Sequence, residues 1–480
     1  MSAPLFAGRE FELKSLRSLV KKKVSSLVVI RGRRRIGKSR LIEEFAKKYR
    51  FLRFSGLPPT ESTTAESQRA EFAKQMSEEL GAPMLDASDW SNLFSFLARE
   101  TSKGRIVILF DEISWMGNKD ADFLGKLKNT WDILFKKNPE LILILCSSVS
   151  VWIDENILKS TGFVGRISLT LDLDELSLSE SNLLLDEVGF RGSAYEKFKI
   201  LSVTGGVPRY LEEIKPDQPA EENIKNLCFQ KSGILFREFK DIFTDIFSRR
   251  SMLYKKITET LVNGPKELSA ISTALGLQKS GHLSEYLNNL VISGFISRDF
   301  TWSVKDAKEA RLSHYRLSDN YLRFYLKYIG PYQGRIEKNH FTNKSLTTLP
   351  GFESIIGLQF ENLVLKNRAF IWKKLNLYPE NIISDNPYFQ RAQVRAKGCQ
   401  VDYLIQTNTN VLYACEIKFS NQEIKPGVIK EIQQKFNHLT RPKGFSLMPV
   451  LIHVNGASNA VVESEYFYQI IDFGELLNVD

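Results

Sequence analysis

The sequence predicts a multidomain α/β protein built first on a parallel sheet, and three observations carry that prediction. A glycine-bracketed loop, Gly32-Arg33-Arg34-Arg35-Ile36-Gly37-Lys38-Ser39, lies between the apolar run Leu27 to Ile30 and the helix-like Arg40-Leu41-Ile42-Glu43-Glu44-Phe45-Ala46. Two more continuously apolar runs, Ile106 to Phe110 and Leu141 to Cys146, suit strands covered on both faces. After about residue 246 the pattern turns to short amphipathic helices and then to β-rich hairpins. At 480 residues the chain has room for about three domains of roughly 150 residues each. The expected division is a parallel-sheet core at 1–170, a helical lid at 171–245, a helix-rich domain at 246–330 and a C-terminal α/β domain at 345–480. Gly330-Pro331 and the Asn339 to Pro350 stretch are the expected linkers.

The first element fits the pattern G-x-x-x-x-G-K-[ST]. A loop of that form turns successive backbone N–H groups inward at a helix N-terminus, where they cradle an anion. Lys38 is then placed to reach the β- and γ-phosphates of a nucleotide, and the Ser39 hydroxyl to hold Mg²⁺. ATP and GTP both satisfy this reading. Gly32 to Arg40 are the candidate nucleotide-binding residues; Arg33, Arg34 and Arg35 face nucleotide, an acidic partner or solvent.

The second element, Arg105 to Phe110, ends in Asp111-Glu112. Open α/β sheets bind ligands at the carboxyl ends of their strands, so Asp111 is a candidate Mg²⁺ ligand and Glu112 a candidate for polarising the attacking water. The third run, Leu141 to Cys146, ends in Ser147-Ser148, a polar pair at the carboxyl end of a buried strand.

Three further motifs carry a resemblance. Phe6-Ala7-Gly8-Arg9-Glu10 with Glu12-Leu13 opens the chain, Gly165-Arg166 follows the third run, and Gly205-Gly206-Val207-Pro208-Arg209 lies further on. In this order they resemble the archaeal-type P-loop ATPases of the AAA+/STAND type over roughly residues 1 to 240. The resemblance implies ATP as the nucleotide, an opening motif near the adenine through Arg9, and γ-phosphate-sensing or stabilising roles for Ser147 and Arg166. It also implies a helical lid that begins at Pro208 and Arg209. If Arg166 acts in trans a ring or dimer is required; if in cis a monomer suffices.

Composition bounds the partners. Hydrophobic residues make up 43% and charged residues 25%, an ordinary globular balance. No apolar run approaches the ~20 residues of a bilayer span, so no membrane partner is expected. Cys146, Cys228, Cys399 and Cys415 are scattered without C-x-x-C or zinc spacing, which reads as free thiols in a reducing, cytoplasmic setting. The formal net charge of +10 permits nucleic-acid binding without demanding it. Lysines and arginines gather in the C-terminal third, among them Arg391, Arg395, Lys418 and Lys435, as a basic surface or as a solvated charged face.

From about Ser251 to Ile329 three helical stripes are expected. They are Leu253/Ile257/Leu261, Leu268/Ile271/Leu275, and Leu283/Tyr286/Leu287/Leu290; a hairpin through Gly294–Arg298 and Ala310–Leu317 follows. This resembles a winged helix-turn-helix, whose third helix enters the major groove when such a domain reads DNA. Lys279 and His282 would favour phosphate contact and Glu285 would oppose it. DNA binding and a docking or hinge role both remain open.

In the C-terminal domain, Val401-Asp402-Tyr403-Leu404-Ile405 and Val411 to Phe419 flank the turn formers Thr407-Asn408-Thr409-Asn410. A turn centred on Thr409 places Asp402 opposite Glu416, and period-2 alternation brings Lys418 to the same face. A slip of one residue would separate them. Two acids and a lysine suit metal-dependent phosphodiester cleavage, with Mg²⁺ or Mn²⁺ held by Asp402 and Glu416 and Lys418 offsetting charge on the phosphorane. The pattern resembles the core of PD-(D/E)XK nucleases, a restriction-endonuclease-like α/β fold. By that resemblance Glu361 is the upstream acid and Gln433 or Gln434 the later helical glutamine. No proline precedes Asp402, which departs from the family pattern. The alternative is that Asp402, Glu416 and Lys418 are a salt-bridged relic, since buried carboxylates need partners.

The expectation is therefore an ATP-binding and ATP-hydrolysing protein acting on DNA, with Glu112, Glu361, Asp402, Glu416 and Lys418 as catalytic candidates. The competing expectation is a STAND-like nucleotide switch that binds nucleic acid or protein without cleaving.

Overall fold

The structure, a computed structural model, describes residues 6–83, 85–117, 119–247, 251–277, 281–341, 344–392 and 397–477. Lys279 and Arg395 lie outside the described residues. The chain falls into two compact units, Met1–Leu176 with Ile242–Ser248, and Ser177–Asp241 with Arg249–Asp480.

The first unit is a five-stranded parallel sheet made of β1 (Ser26–Arg31), β2 (Arg50–Ser55), β3 (Ile106–Asp111), β4 (Leu141–Ser147) and β5 (Ile167–Asp172). Its order is β2-β3-β4-β1-β5, and every neighbouring pair is parallel. Alternation divides each apolar run between two cores. Leu27, Val29, Ile106, Ile108, Leu143 and Leu145 pack with Phe72, Trp90, Phe94 and Trp131 on one face. Val28, Ile30, Val107, Leu109, Ile142 and Ile144 pack with Leu13, Leu16, Leu41, Ile42 and Phe45 on the other. Burial on both faces is why these strands read as continuous hydrophobic runs. The order also has a functional consequence, because β4 lies between β1 and β3. The serines that end β4 therefore stand between the glycine loop and the Asp111-Glu112 pair.

The second unit takes up the helices Leu178–Val188, Ala194–Thr204 and Ala220–Cys228 from the stretch expected as a lid. Three helices follow, Ser251–Thr260, Leu268–Ala274 and Gly281–Ile292, then an antiparallel hairpin of β6 (Ile296–Ser303) and β7 (Lys308–Leu317). Leu283, Leu287 and Leu290 are buried as their spacing predicts, and Tyr286 meets Tyr254 edge-on at 5.3 Å.

The C-terminal sheet is mixed. It runs β12-β11-β10-β9-β8, with β8 (Ile382–Gln390), β9 (Cys399–Thr407), β10 (Val411–Ile417), β11 (Ser446–His453) and β12 (Gln469–Asp472). The β8-β9 and β9-β10 pairs are antiparallel and β10-β11 and β11-β12 parallel. The hairpin β6-β7 is not a free wing. Trp302 and Val304 belong to the same core as Val401, Leu404 and Leu412. The Trp302 indole N–H donates to Gln406 Oε1 at 2.6 Å, and Gln406 Nε2 returns to the Val304 carbonyl at 3.0 Å. Trp302→Ala should cost about 3–5 kcal/mol, the range for truncating a buried aromatic, read as a lower denaturant midpoint.

Candidate functional site

The glycine loop leaves β1 in a conformation that only its residues allow. Gly32 has φ 150°, and a Cβ there would lie 2.3 Å from the Leu173 carbonyl oxygen. Gly37 (φ 88°) caps the helix Lys38–Ala46 in the left-handed region. Gly32→Ala should therefore lower the unfolding temperature of this unit, by about 1–3 kcal/mol of stability, and weaken nucleotide binding in the same preparation.

Around this loop the structure gathers most of the expected residues. Ile36 is fully buried and anchors the loop in the core. Lys38 Nζ spans the loop to the carbonyls of Gly32 (2.8 Å) and Arg33 (2.9 Å). Arg9, left-handed at the N-cap of Glu10–Val20, donates to the Ile36 carbonyl at 3.1 Å and the Asp174 carbonyl at 2.6 Å, so the opening motif braces the loop directly. Arg33 pairs with Glu175 at 2.5 Å. Arg34, Arg35 and Arg40 are half-buried along the loop and the first turn of the helix.

The two strand ends converge on this loop. The Ser39 hydroxyl donates to Asp111 Oδ2 at 3.0 Å. Glu112 sits at φ 52°, a left-handed value rare for a non-glycine residue and common at functional sites. Its Oε2 accepts from the Ser148 N–H (2.9 Å), the Ser148 hydroxyl (2.9 Å) and the Ser147 hydroxyl (3.3 Å). Ser147 is itself paired with Ser114 at 2.7 Å. The strand order makes this possible, since β4 adjoins β3.

Three other expected residues have local settings of their own. Arg166 forms a fork on Asp132, with Nε 3.0 Å from both carboxylate oxygens and Nη2 2.9 Å from one. Arg166, followed by Lys136 and Lys128, holds the Asp132 carboxyl well below the usual range despite some desolvation. Pro208 opens a short helix, Pro208–Leu211, in the second unit, and Arg209 pairs there with Glu212 (3.3 Å) and Glu213 (2.6 Å). One participant went unread in the sequence. Arg53 of β2 reaches Asp111 Oδ2 at 2.6 Å and Glu43 at 2.8 Å. A charged residue inside an apolar strand was its only signal.

Residues 6–214 match a family described as an ATPase domain predominantly from Archaea. Over this segment the chain is similar to the archaeal-type ATPase domain. An uncharacterized protein of Methanocaldococcus jannaschii is 26% identical over 437 residues, which span 89% of this chain and 90% of that one. The Walker-type ATPase of Pyrococcus abyssi superposes with a TM-score of 0.51 at 18% identity, over 67% of this chain and 96% of that one. The Aeropyrum pernix ORC2 protein, solved with ADPNP and ADP, matches at TM-score 0.41 and 14% identity over 69% of this chain and 96% of that one. The parallel sheet of the first unit agrees in fold with the Pyrococcus abyssi ATPase. Among the described residues no helix is long and apolar enough to cross a membrane.

The second candidate site lies in the C-terminal sheet. The β9-β10 ladder pairs Tyr413 with Ile405 and Cys415 with Tyr403, the register centred on Thr409, which puts Asp402 across from Glu416. Asp402 Oδ2 accepts from the Ile417 N–H at 3.0 Å. Lys418 Nζ meets Glu416 Oε1 at 3.0 Å and Glu431 at 3.1 Å. A lysine not assigned to this site completes it: Lys435 Nζ bridges Asp402 Oδ1 (3.0 Å) and Glu416 Oε2 (2.5 Å). In the helix Gly427–Asn437, Ile432 and Phe436 face the core, Gln433 and Gln434 are exposed, and Lys435 is the residue whose phase meets the carboxylates.

Glu361, on the helix Phe352–Lys366, is raised from 4.5 to about 8. Desolvation is the main cause and the Asp402 charge the second, while Arg323, Arg316 and Lys435 oppose them. Desolvation and Asp402 also push Glu416 upward. Burial alone would lower Lys435, yet Asp402 and Glu416 hold its ammonium above the ordinary value. Asp402, Glu416 and Lys418 thus stand together with Lys435, and the Asp402 charge acts on Glu361.

Proposed function

We propose that this protein is an ATP-hydrolysing nucleotide switch whose C-terminal half engages DNA without cutting it. The observation that carries the ATPase part is the meeting of Ser39 with Asp111 beside Lys38, with Glu112 held one residue further on by the serines of β4. Hard oxygen donors at Ser39 and Asp111 fit Mg²⁺. When bound, the ion neutralises charge on the β- and γ-phosphates. Lys38 offers its ammonium to the same phosphates in place of the two loop carbonyls it now spans. Glu112 is anchored through Oε2, so we assign Oε1 to orienting the attacking water. Arg53, already on Asp111, positions that carboxylate.

For DNA, the exposed side of Gly281–Ile292, with His282, Ser284 and Asn288, is the surface we assign, since hairpin β6-β7 is committed to the C-terminal core. The basic composition supports this reading.

A second reading, an ATP-gated nuclease, draws on the convergence of Glu361, Asp402, Glu416 and Lys418. Its Mg²⁺ or Mn²⁺ does not fit the carboxylates as folded, because Lys435 lies across both of them. The experiment is ATP turnover with and without DNA, together with cleavage of labelled single- and double-stranded DNA in Mg²⁺ or Mn²⁺. Turnover altered by DNA with no cutting supports the switch. Cutting that Asp402→Ala abolishes would replace it with the nuclease.

A further inference from the structure

The resemblance to metal-dependent nucleases asks for a divalent ion between Asp402 and Glu416, and the geometry disagrees. Each of the four carboxylate oxygens already has a donor. Asp402 Oδ1 takes Lys435 Nζ and Oδ2 takes the Ile417 N–H. Glu416 Oε2 takes Lys435 Nζ and Oε1 meets Lys418 Nζ. Two of these donors are full ammonium charges, and together they balance the two acids. Among the described residues no group of three or more His, Cys, Asp or Glu is arranged to hold a metal ion.

We propose that Lys435 is the resident cation of this site, a tethered ammonium standing where a divalent ion would stand, so that the folded protein takes up no Mg²⁺ or Mn²⁺ there. The inference rests on the nuclease-like reading of the hairpin and is independent of the ATP site.

Three physical features support it. Lys435 is fixed from behind, since Ile432 and Phe436 on its own helix are buried in the core that holds Val401 and Leu404. Its ammonium bridges the pair rather than capping one acid, the position from which one cation screens both. Its charge is secured by that pairing, while a divalent ion needs several oxygen ligands of its own and would have to displace both lysines. A buried carboxylate pair without these ammoniums would be strongly destabilised, so the lysine is also what lets the two acids coexist.

The test is Mn²⁺ binding by the full-length, nucleotide-free protein, followed by electron paramagnetic resonance. Wild type and Asp402→Asn should bind Mn²⁺ identically at millimolar concentration. Lys435→Met, isosteric in its stem but uncharged, should gain one Mn²⁺ site, roughly 100-fold tighter than any in wild type given the removal of a unit charge a few ångströms away, and Lys435→Met/Asp402→Asn should lose it. Lys435→Arg keeps the charge and should gain nothing. A wild-type Mn²⁺ site that Asp402→Asn abolishes overturns the proposal, as does a folded Lys435→Met that gains no site. The wild-type comparison decides the matter even if Lys435→Met fails to fold. DNA cleavage in the same samples separates the two ideas. A Lys435→Met protein that binds Mn²⁺ without cutting upholds the resident cation and removes the nuclease reading; wild-type cutting lost in Asp402→Asn does the reverse.

Discussion

Glu112→Gln should abolish steady-state ATP hydrolysis while leaving ATP binding close to wild type, whereas Lys38→Ala should remove both. The difference follows from what each side chain touches. Glu112 is held through Oε2 by the Ser148 N–H and two serine hydroxyls, contacts that orient it without building the loop. A glutamine preserves the shape and loses the basicity, so turnover should fall about 10²–10⁴-fold, the usual worth of a positioned general base. Lys38 lies inside the loop, with its Nζ on the Gly32 and Arg33 carbonyls, and its loss removes a charge aimed at the phosphates as well as a brace of the loop. Fluorescent-nucleotide titration beside a phosphate-release assay reads both quantities. Loss of binding in Glu112→Gln would show that the acid builds the pocket rather than serving the reaction. Full turnover in that variant would move the water-polarising role to another group.

The second large effect is on stability against pH. The Glu361 carboxyl sits at about 8 in the folded protein against 4.5 when unperturbed. Between those values the folded state holds more proton than the unfolded chain, so stability is greatest below about pH 4.5 as far as this group is concerned. It falls as pH rises and is fully reduced above about pH 8. The whole change is on the order of 3–5 kcal/mol. Glu361→Gln removes the ionisation but keeps the size. Its denaturant midpoint should exceed that of wild type at pH 8.5, with the gap closing toward pH 5. Parallel pH profiles for the two proteins would show that Glu361 is already ionised near neutral pH, with Arg316 and Arg323 supplying its counter-charge.

Much of this protein is readable from its chain. The loop at Gly32–Ser39 announces itself because only that spacing of glycines, lysine and serine gives a phosphate cradle between strand and helix. The facing of Asp402 and Glu416 is legible for a different reason. Turn-forming residues at 407–410 and the period-2 geometry of paired strands set the register that pairs Cys415 with Tyr403.

Other features escaped, each because it depends on non-local packing. Strand order β2-β3-β4-β1-β5 is a property of crossovers, so nothing in the sequence near Arg53 says that it meets Asp111, or near Ser148 that it holds Glu112. Lys435 is the sharpest instance. The sequence shows a basic residue on an amphipathic helix, one turn position from two glutamines that fit the expected pattern equally well. Only the seating of Ile432 and Phe436 on the sheet turns the helix so that Lys435 meets both carboxylates. Local chemistry and periodicity therefore determined which elements form and which acids face each other, while tertiary packing decided which cation stands between them.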